Sequence, residues 1–424
     1  MSLSPNVLVI SNTCFSRTES NGRTLGNFFL GWPQDCLAQF FLTGTPDGYY
    51  CGRYFQVSDR QALNALLGRS NIGGEVCAVD CDNVPPAANS GRKTARNALT
   101  MLGRNAIWKS GAWRKCGFWQ WVDSFRPDIV LLQAGDCAFM FDLAVETARC
   151  QNARLVIYNS EGYYYKDFDY FQGSGLAHWV YPIFQRQMKK SLEKAYDAAS
   201  CVIYVCDELA EQYARDFSVR GETIFTGSDI RFEKKVEKND VFSTVYCGNL
   251  GLKRHESLIE IAQTLQSISP ELFVDVYGAA PDDAVADALN LCPGIRYHGT
   301  VPYEKVRELL QDSDLILYVE SFDPFYQEDI KFGFSTKIAD SLSSGNCFLL
   351  YAPEHFACFQ YLKKNQAAYT ASNRQELEEI LRVLVANPSA AGKYRQAALA
   401  LAEKNHNVEK NNHRFQTLLR ELAD

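Results

Sequence analysis

The sequence predicts two α/β domains, each built around a doubly wound, mostly parallel β-sheet. The chain has 424 residues, which is too long for one hydrophobic core and suits two domains of roughly 200 residues each. Short β-branched or aromatic runs alternate with longer amphipathic segments, as in βα units around parallel sheets. A polar, charged stretch after Thr226, SDIRFEKKVEKND, separates two such series and is the best candidate for a linker.

The first series covers residues 1–232. Its short apolar runs predict strands at 7–11, 129–133, 155–158 and 201–206. A helix is expected at 183–199, directly after Pro182, because proline suits the first turn of a helix.

The second series, residues 240–405, is more regular. Its expected strands are TVYCG, FVDVYG, IRYHG, LILYV and CFLLYA, and helical segments separate them. In HESLIEIAQTLQSI, the residues Leu258, Ile261 and Leu265 line one helical face. Residues 406–424 predict a further amphipathic helix that packs back on the first domain. Two sheets that face each other would place the carboxyl ends of their strands at one cleft, where α/β sheets bind ligands.

Composition and charge restrict the class of protein. The chain is 46% hydrophobic and 22% charged, as in a folded soluble protein, and its formal net charge of -7 disfavours nucleic acid as a partner. The opening MSLSPNVLVISN lacks a secretion signal, and the apolar runs are shorter than the roughly 20 residues that span a bilayer. We therefore expect a cytoplasmic protein whose 14 cysteines are reduced and mostly buried.

The strongest local motif is CGNLGLKRHESL, in which a strand ends at Gly248 and a short loop leads into a helix. Glycine lets a phosphate approach the backbone, a helix N-terminus offers unpaired N–H groups, and Lys253 and Arg254 supply positive charge. A diphosphate would fit Gly248, Asn249 and these cations. An ordinary βα turn with solvated cations explains the same residues, because isolated glycine motifs recur often.

A second motif, KFGFSTKIADSLSSGNCFLLYAP, places a glycine-containing loop before a helix at 335–342. Ser335 and Thr336 can cap that helix and direct its first amides at an anion, to which Lys337 adds charge. Asp340 follows one turn later, where its carboxylate could accept hydrogen bonds from ribose hydroxyls. A capping or surface carboxylate is the alternative reading of Asp340.

Together with GIRYHGTVPYEKVRELLQDSDLILYVESF between them, these two motifs resemble the C-terminal half of family-4-like glycosyltransferases of the GT-B type. The resemblance covers residues 240–405 well and the first half by architecture only. It implies two Rossmann-like domains facing a cleft, with a nucleotide-sugar donor on the C-terminal domain and the acceptor on the N-terminal one. Bacterial surface-polysaccharide assembly is the setting that it implies.

The resemblance also assigns roles to residues. It places the donor diphosphate against Gly248, Lys253 and Arg254. In the Glu-x7-Glu helix of the family, which binds donor sugar and ribose, the second acid corresponds to Asp340 and the first to Phe332, where this chain departs from the pattern. Lysines, arginines and helix N-termini could neutralise the leaving group, so we expect no metal ion and no separate cofactor.

Three sites in the first half are candidates for ligand contacts. Asn21, Gly22 and Arg23 follow the first strand, where a loop could line the cleft and approach the donor, or could simply cap a helix. Asp136 and Glu161 each stand just past a strand end and could contact acceptor hydroxyls or act as a catalytic base. A helix cap or a loop salt bridge is the alternative reading of each carboxylate, and the commoner role for an acid in such a position.

A basic, tryptophan-bearing tract runs from 91 to 116, with seven Lys or Arg residues, no acid, and the indoles of Trp108 and Trp113; Trp119 and Trp121 follow. Cations and indoles together suit the headgroup region of an anionic membrane. We therefore expect residues 91–121 to offer a peripheral membrane contact, with a solvated helix and core tryptophans as the alternative.

These observations predict a retaining, metal-independent glycosyltransferase that moves a sugar from a nucleotide-diphosphate donor to a glycan or lipid-linked acceptor. Two alternatives remain open. A sugar-nucleotide epimerase could use the same double fold, although clear extra acid/base groups for it are missing. A catalytically silent subunit that binds nucleotide or a partner protein is favoured by Phe332.

Overall fold

The computed structural model describes residues 4–17, 20–79, 96–232 and 242–424. The chain divides into two compact units, which are Met1–Ile224 with Asn412–Asp424, and Phe225–Asn411. Each unit contains a largely parallel β-sheet connected by helices. The expected fold class of two Rossmann-like α/β domains is therefore confirmed.

The first unit has an eight-stranded sheet within the described residues. Its strands are β1 Val7–Thr13, β2 Leu37–Thr43, β3 Arg53–Gln56, β4 Gly74–Val76, β5 Ile129–Gln133, β6 Arg154–Asn159, β7 Cys201–Tyr204 and β8 Gly221–Thr223. They are arranged in the order β4-β3-β2-β1-β5-β6-β7-β8, and only β3 and β4 pair antiparallel. The strand order reverses at β1, so right-handed crossovers place helices on both faces of the sheet.

The helices of this unit are α1 Ser20–Asn27, α2 Asp59–Leu66, α3 Ala98–Lys109, α4 Phe118–Phe125, α5 Ala138–Gln151, α6 Leu176–Trp179, α7 Tyr181–Ala198 and α8 Asp207–Tyr213. Residues 7–10 of β1 and 129–132 of β5 are fully buried. Continuous burial of this kind is characteristic of central parallel strands with helices on both faces.

In the described part of the second unit, six strands form a wholly parallel sheet. Its strands are β9 Thr244–Cys247, β10 Val274–Tyr277, β11 Ile295–Gly299, β12 Leu315–Val319, β13 Cys347–Tyr351 and β14 Tyr369–Ala371, in the order β11-β10-β9-β12-β13-β14. Its helices are α9 Arg254–Ile268, α10 Asp283–Leu291, α11 Tyr303–Asp312, α12 Pro324–Ile330, α13 Thr336–Ser343, α14 Ala357–Asn365, α15 Arg374–Ala386 and α16 Gly392–Asn405. Within the described ranges, every helix is too short or too polar to span a bilayer.

A last helix, α17 Val408–Ala423, begins in the second unit and ends in the first. Its Phe415 ring stacks on Phe28 with 4.8 Å between ring centroids, and Gln416 Nε2 donates to the carbonyl oxygen of Phe28 at 3.1 Å. The division of the chain at Ile224 comes earlier than the expected boundary at 232. Residues 225–232 belong to the second unit because their polar groups bond to it, and the remainder of the expected linker, 233–239, lies outside the described residues.

The tryptophans of the basic tract belong to the core of the first unit. Trp108, Trp113 and Trp121 are each less than 5% exposed, and Trp108 stacks on Phe139 with ring centroids 4.5 Å apart. The indole N–H of Trp108 donates to Asp59 Oδ1 at 2.8 Å. The expectation that these indoles reach a lipid headgroup is therefore wrong.

The cations of the same tract are paired by acids from other segments. Arg104 bonds Asp59 at 2.8 Å, Lys109 lies 3.0 Å from Asp142, and Arg114 pairs with Glu146. The positive charge that suggested an anionic partner is thus largely balanced inside the first unit. Residues 91–95 of the tract lie outside the described residues.

A buried histidine holds the start of the second unit. His406 is 1% exposed; its Nδ1 lies 2.9 Å from the carbonyl oxygen of Thr226, and its Nε2 lies 2.9 Å from the hydroxyl of Tyr361. Burial lowers the pKa of His406 from 6.5 to about 4. The neutral imidazole therefore ties residue 226 to α14.

We expect the chain to lose stability as the pH falls from 6.5 to 4, because the unfolded state protonates His406 in that window and the folded state does not. The lowered pKa corresponds to a loss of about 3 kcal/mol in the free energy of unfolding at pH 4, and to no loss above pH 6.5. Urea unfolding at several pH values would measure it. In His406→Gln the loss over this window should shrink by that amount, whereas the exposed-site control His178→Gln should retain the full loss; parallel profiles for parent and His406→Gln would contradict this assignment.

Candidate functional site

The loop between β9 and α9 is built around a glycine that has no room for a side chain. A Cβ on Gly248 would overlap the Lys337 ammonium and would lie 2.7 Å from the hydroxyl of Tyr246. The Gly248 N–H donates to the Tyr277 carbonyl at 2.8 Å, and Tyr246 OH donates to the Asn249 carbonyl at 2.8 Å. Glycine here lets a lysine from a distant segment lie against the loop backbone.

The rest of this loop is held by its own polar groups. Asn249 Oδ1 accepts from the N–H of Gly251 at 2.6 Å. Leu252 and Lys253 both adopt left-handed backbone conformations, with φ of 58° and 59°. Consecutive non-glycine residues in this region are strained, and such strain concentrates at ligand-binding loops.

Arg254, the first residue of α9, forms a buried ion pair with Glu320 at the end of β12. Arg254 Nε lies 2.7 Å from Glu320 Oε2, and the two side chains are only 13% and 6% exposed. Tyr318 OH donates to Glu320 Oε1 at 2.6 Å, and Ser257 Oγ donates to the Glu320 carbonyl at 2.8 Å. Burial opposes the charge of Arg254, but Glu320 outweighs it and raises the pKa of the guanidinium above its ordinary value.

Glu320 was missed by the sequence analysis. The available signal was an acid immediately after the fully apolar strand LILYV, at the carboxyl end of a strand in the C-terminal series. Its partner Arg254 precedes it by 66 residues, and only the sheet order places β12 beside β9.

Lys337 lies in the first turn of α13, with Ser335 as the helix N-cap. Ser335 Oγ accepts from the Lys337 N–H at 3.3 Å, and the ammonium lies 5.7 Å from the centroid of the Tyr246 ring. Within the described ranges, no carboxylate forms an ion pair with this ammonium. Burial, and then repulsion from Arg254, lower the pKa of Lys337 to about 8, although Glu320 partly opposes the shift.

The other predicted donor-site residues have identifiable partners. Lys253 forms an ion pair with Asp323 at 2.8 Å, and Asp323 also caps α12 by accepting from the N–H of Phe325. Thr336 is the first residue of α13, so its backbone N–H belongs to the unpaired amides of the helix start. The roles of Lys253 and Thr336 at a diphosphate stay predictions.

Asp340 is buried one turn into α13, at 8% exposure. Its Oδ1 accepts from Ser228 Oγ at 2.6 Å and from the hydroxyl of Tyr303 at 3.2 Å. The carboxylate therefore anchors the segment that enters the second unit. The proposed contact of Asp340 with ribose stays a prediction. Phe332 stands where the related family carries its first acid, and the Lys331 ammonium lies 5.6 Å from the centroid of the Phe332 ring.

In the first unit, the segment with Asn21, Gly22 and Arg23 is helical rather than a loop, because α1 begins at Ser20. A Cβ on Gly22 would overlap the carbonyl oxygen of Cys14. The small size of Gly22 thus serves close packing of the chain on itself. Arg23 lies near the hydroxyl of Tyr50. Burial raises the pKa of Tyr50 to about 12, and the charge of Arg23 opposes that shift.

Asp136 lines a cavity of about 960 Å³ in the first unit. The cavity opens where β1, β2 and β5 end, and α3 forms one wall. Asp136 pairs there with Arg96, and Arg104 on α3 bonds both Asp59, at 2.8 Å, and the thiol of Cys137. The cavity therefore combines fixed charges with apolar walls that include side chains of α2 and α3.

Glu161 lies beside this group, after β6. Its Oε2 is 3.2 Å from Lys166 Nζ, and that ammonium stands over the rings of Tyr163 and Tyr170 at 5.0 and 4.9 Å. Burial, followed by the charges of Glu161 and Asp136, raises the pKa of Tyr163 well above its ordinary value. The charges of both predicted carboxylates thus act on one phenol.

In the described residues, no three His, Cys, Asp or Glu side chains are grouped as a metal site would require. The candidate ligand contacts are the two cations near Gly248 in the second unit and the cavity in the first unit.

Several solved structures share this fold along almost the whole chain. An Anabaena protein, HepE, in complex with UDP aligns with a TM-score of 0.61 at 11% identity, covering 98% of this chain and all of the other. WaaG, a glycosyltransferase involved in lipopolysaccharide biosynthesis, aligns with a TM-score of 0.59 at 12% identity over 97% and 99%. Sucrose-phosphate synthase from Thermosynechococcus elongatus aligns with a TM-score of 0.62 at 11% identity over 98% and 99%.

Similarity in sequence covers a smaller part of the chain than similarity in fold. No curated protein is similar enough in sequence to match. The model of a family described as glycosyl transferase-like matches residues 254–420, which include Arg254, Glu320 and Lys337. Residues 254–420 are therefore similar to glycosyl transferase-like proteins, and the fold of the chain is that of these GT-B structures.

Proposed function

We propose that this chain transfers a sugar from a nucleotide-diphosphate donor to a hydroxyl of a glycan or lipid-linked acceptor, with retention of the anomeric configuration. The observation that carries the proposal is the Lys337 ammonium, which lies at the Gly248 backbone without a carboxylate partner in the described residues and with a pKa lowered to about 8. A bound diphosphate would supply the missing negative charge.

The donor diphosphate is proposed to bind at Gly248, with Arg254 and Lys337 as its cationic partners. Glu320 already engages Arg254 through Nε, which leaves the terminal nitrogens of the guanidinium available to a phosphate oxygen. The N-cap Ser335 fixes the start of α13, where backbone N–H groups favour an anion. This arrangement would stabilise the nucleoside diphosphate as it leaves, without a metal ion.

The acceptor is proposed to bind in the cavity of the first unit. Asp136 would orient its hydroxyl, and Arg96 would hold the Asp136 carboxylate in place. Glu161 is a second candidate for that contact, although it does not line the cavity. The apolar walls contributed by Leu63, Met101 and others suit an acceptor that carries an apolar part.

The structural neighbours suggest which donor to test first. HepE was solved with UDP and glucose and with UDP-glucose, so UDP-glucose heads a mass-spectrometric screen that includes GDP-, ADP- and TDP-sugars. NMR of the product would report the anomeric configuration; an inverted product would refute retention. The WaaG likeness agrees with a cytoplasmic role in bacterial surface-polysaccharide assembly, which is part of the proposal.

A catalytically silent subunit is the second candidate, because Phe332 stands where related enzymes carry an acid. Such a subunit would bind nucleotide yet neither transfer nor hydrolyse a donor. Release of nucleoside diphosphate from any donor in the screen would exclude it.

The affinity for UDP should depend on pH through Lys337. Below pH 8 the ammonium is charged and binds the diphosphate; above pH 8 the free protein must first take up a proton, so affinity should fall about tenfold per pH unit. Lys337→Gln should weaken binding at pH 7 by roughly 10- to 100-fold and should lose the pH dependence. Calorimetric titration in buffers of different ionisation enthalpy would also detect uptake of about half a proton at pH 8.

The matched control is Lys363→Gln, which removes an exposed lysine paired with Glu354 in the same unit. It should bind UDP as the parent does at every pH. Identical affinities and pH profiles for the parent and Lys337→Gln would remove the proposed donor site.

Asp136→Asn should lower kcat/KM for the acceptor by roughly 100-fold while the affinity for UDP stays unchanged. The reason is that Asp136 touches the acceptor cavity of the first unit, whereas the diphosphate contacts belong to the second unit. The control Asp123→Asn changes an exposed acid that bonds only Gln151 among the contacts described and should retain full activity. Normal acceptor kinetics in Asp136→Asn would remove Asp136 from the acceptor site.

A further inference from the structure

An apolar ridge protrudes from the helix pair α6 and α7 of the first unit. It consists of Leu176, Trp179 and Ile183, which are 65%, 79% and 56% exposed. Large apolar side chains grouped on one face without cover are uncommon on the surface of a soluble protein and mark interaction sites.

The three side chains form one line because the two helices are nearly continuous. Backbone hydrogen bonds from Val180 to Leu176 and from Phe184 to Val180 carry the helical pattern across the junction. Spacings of three and four residues keep side chains on one helical face. Leu176, Trp179 and Ile183 therefore share that face.

The opposite face of α7 fixes the ridge against the body of the unit. Tyr181, Phe184 and Met188 are buried, and Tyr181 OH donates to the Lys166 carbonyl at 2.8 Å. The ridge residues therefore point outward because the opposite face of the helix is packed. A rotation of the helix that buried Trp179 would expose Tyr181, Phe184 and Met188 instead.

Cations continue the same line. Arg186 and Lys190 follow Ile183 at further spacings of three and four, and both are exposed. The neighbouring acids Asp167 and Asp169 are paired with Lys189 and with His178. An apolar stripe that continues into exposed positive charge matches the two layers of an anionic bilayer surface, apolar chains below and phosphates above.

The ridge also lies close to the cavity. Helix α6 packs against α3, the helix that forms one cavity wall, and α3 in turn packs against α2. Leu99 on α3 and Leu66 on α2 are themselves about half exposed. A surface that touched the ridge would therefore lie near the cavity rather than on a remote part of the unit.

We propose that this ridge docks the chain on an anionic membrane, with Leu176, Trp179 and Ile183 at headgroup depth and Arg186 and Lys190 at the lipid phosphates. This surface is separate from the tract at 91–121, in which the indoles of Trp108, Trp113 and Trp121 are buried. The inference concerns membrane binding and stands independently of the proposed transfer reaction, so vesicle binding and glycosyl transfer can fail separately.

Vesicle co-sedimentation tests the proposal. The parent should bind vesicles of equal parts phosphatidylcholine and phosphatidylglycerol, should bind phosphatidylcholine alone more weakly, and should lose affinity as salt rises. Leu176→Ser/Trp179→Ser/Ile183→Ser should reduce binding at least tenfold. Arg186→Gln/Lys190→Gln should reduce binding to the anionic vesicles by roughly 25-fold, since each cation near such a surface contributes about fivefold.

Two matched controls separate the ridge from general surface effects. Leu291→Ser removes a side chain of the second unit that is 81% exposed, and Lys393→Gln/Lys404→Gln removes two exposed cations from α16. Both should bind vesicles as the parent does. Equal binding by the parent and the triple ridge variant, or equal losses in ridge and control variants, would overturn the proposal.

Fluorescence gives a readout that does not depend on a loss of binding. Trp32, Trp108, Trp113 and Trp121 are buried and Trp119 is partly buried, so a blue shift on adding anionic vesicles should come mainly from Trp179, which is 79% exposed. Trp179→Phe should still sediment with vesicles but should lack the shift. If the parent instead formed a dimer that the ridge variant abolished, with no vesicle binding, a second copy of the chain would be the partner and the membrane proposal would fail.

Discussion

Two cations, Arg254 and Lys337, lie near one carboxylate, Glu320, and the character of the candidate donor site follows from that imbalance. Glu320 satisfies Arg254 through a 2.7 Å ion pair, so Lys337 remains a cation next to a cation. Burial, and then repulsion from Arg254, lower its pKa. A site of this kind holds an uncompensated cation in the free protein, which supports the proposal that an anionic diphosphate binds there.

The fold assembles this imbalance from segments that are distant in sequence. The sheet order places β12 next to β9, so Glu320 and Gly248 emerge at the same edge. Helix α13 then returns toward that edge with its N-terminus first. Gly248 is the point where these elements meet, since any side chain there would displace the Lys337 ammonium. In the free protein, the glycine thus allows a cation to approach the backbone at the point where a phosphate is proposed to bind.

The sequence predicted the fold class, most strands of the second unit and the two motifs that hold Gly248 and Lys337, because apolar periodicity and helix caps are local properties. It did not predict β2 and β3, whose runs LAQFFLT and RYFQ are interrupted by polar residues. It missed Glu320 because an acid after a strand is common, and only strand order pairs it with Arg254. It misplaced Trp108 and Trp113 because burial is a tertiary property that no local pattern of cations and indoles reveals.

The same principle separates functional from structural charge throughout the chain. Lys109 and Arg114 were conspicuous in the sequence, yet Asp142 and Glu146 neutralise them in the structure. Lys337 was one lysine among many, and its lack of an ion-pair partner in the described residues distinguishes it. A charge whose partner the fold supplies is largely balanced within that fold, whereas a half-buried charge without a partner remains at an energetic cost. A protein can keep such a cost where a bound ligand offsets it, and for this reason Lys337 is a candidate binding residue. The buried tryptophans and paired cations of the basic tract instead contribute to the structure of the first unit.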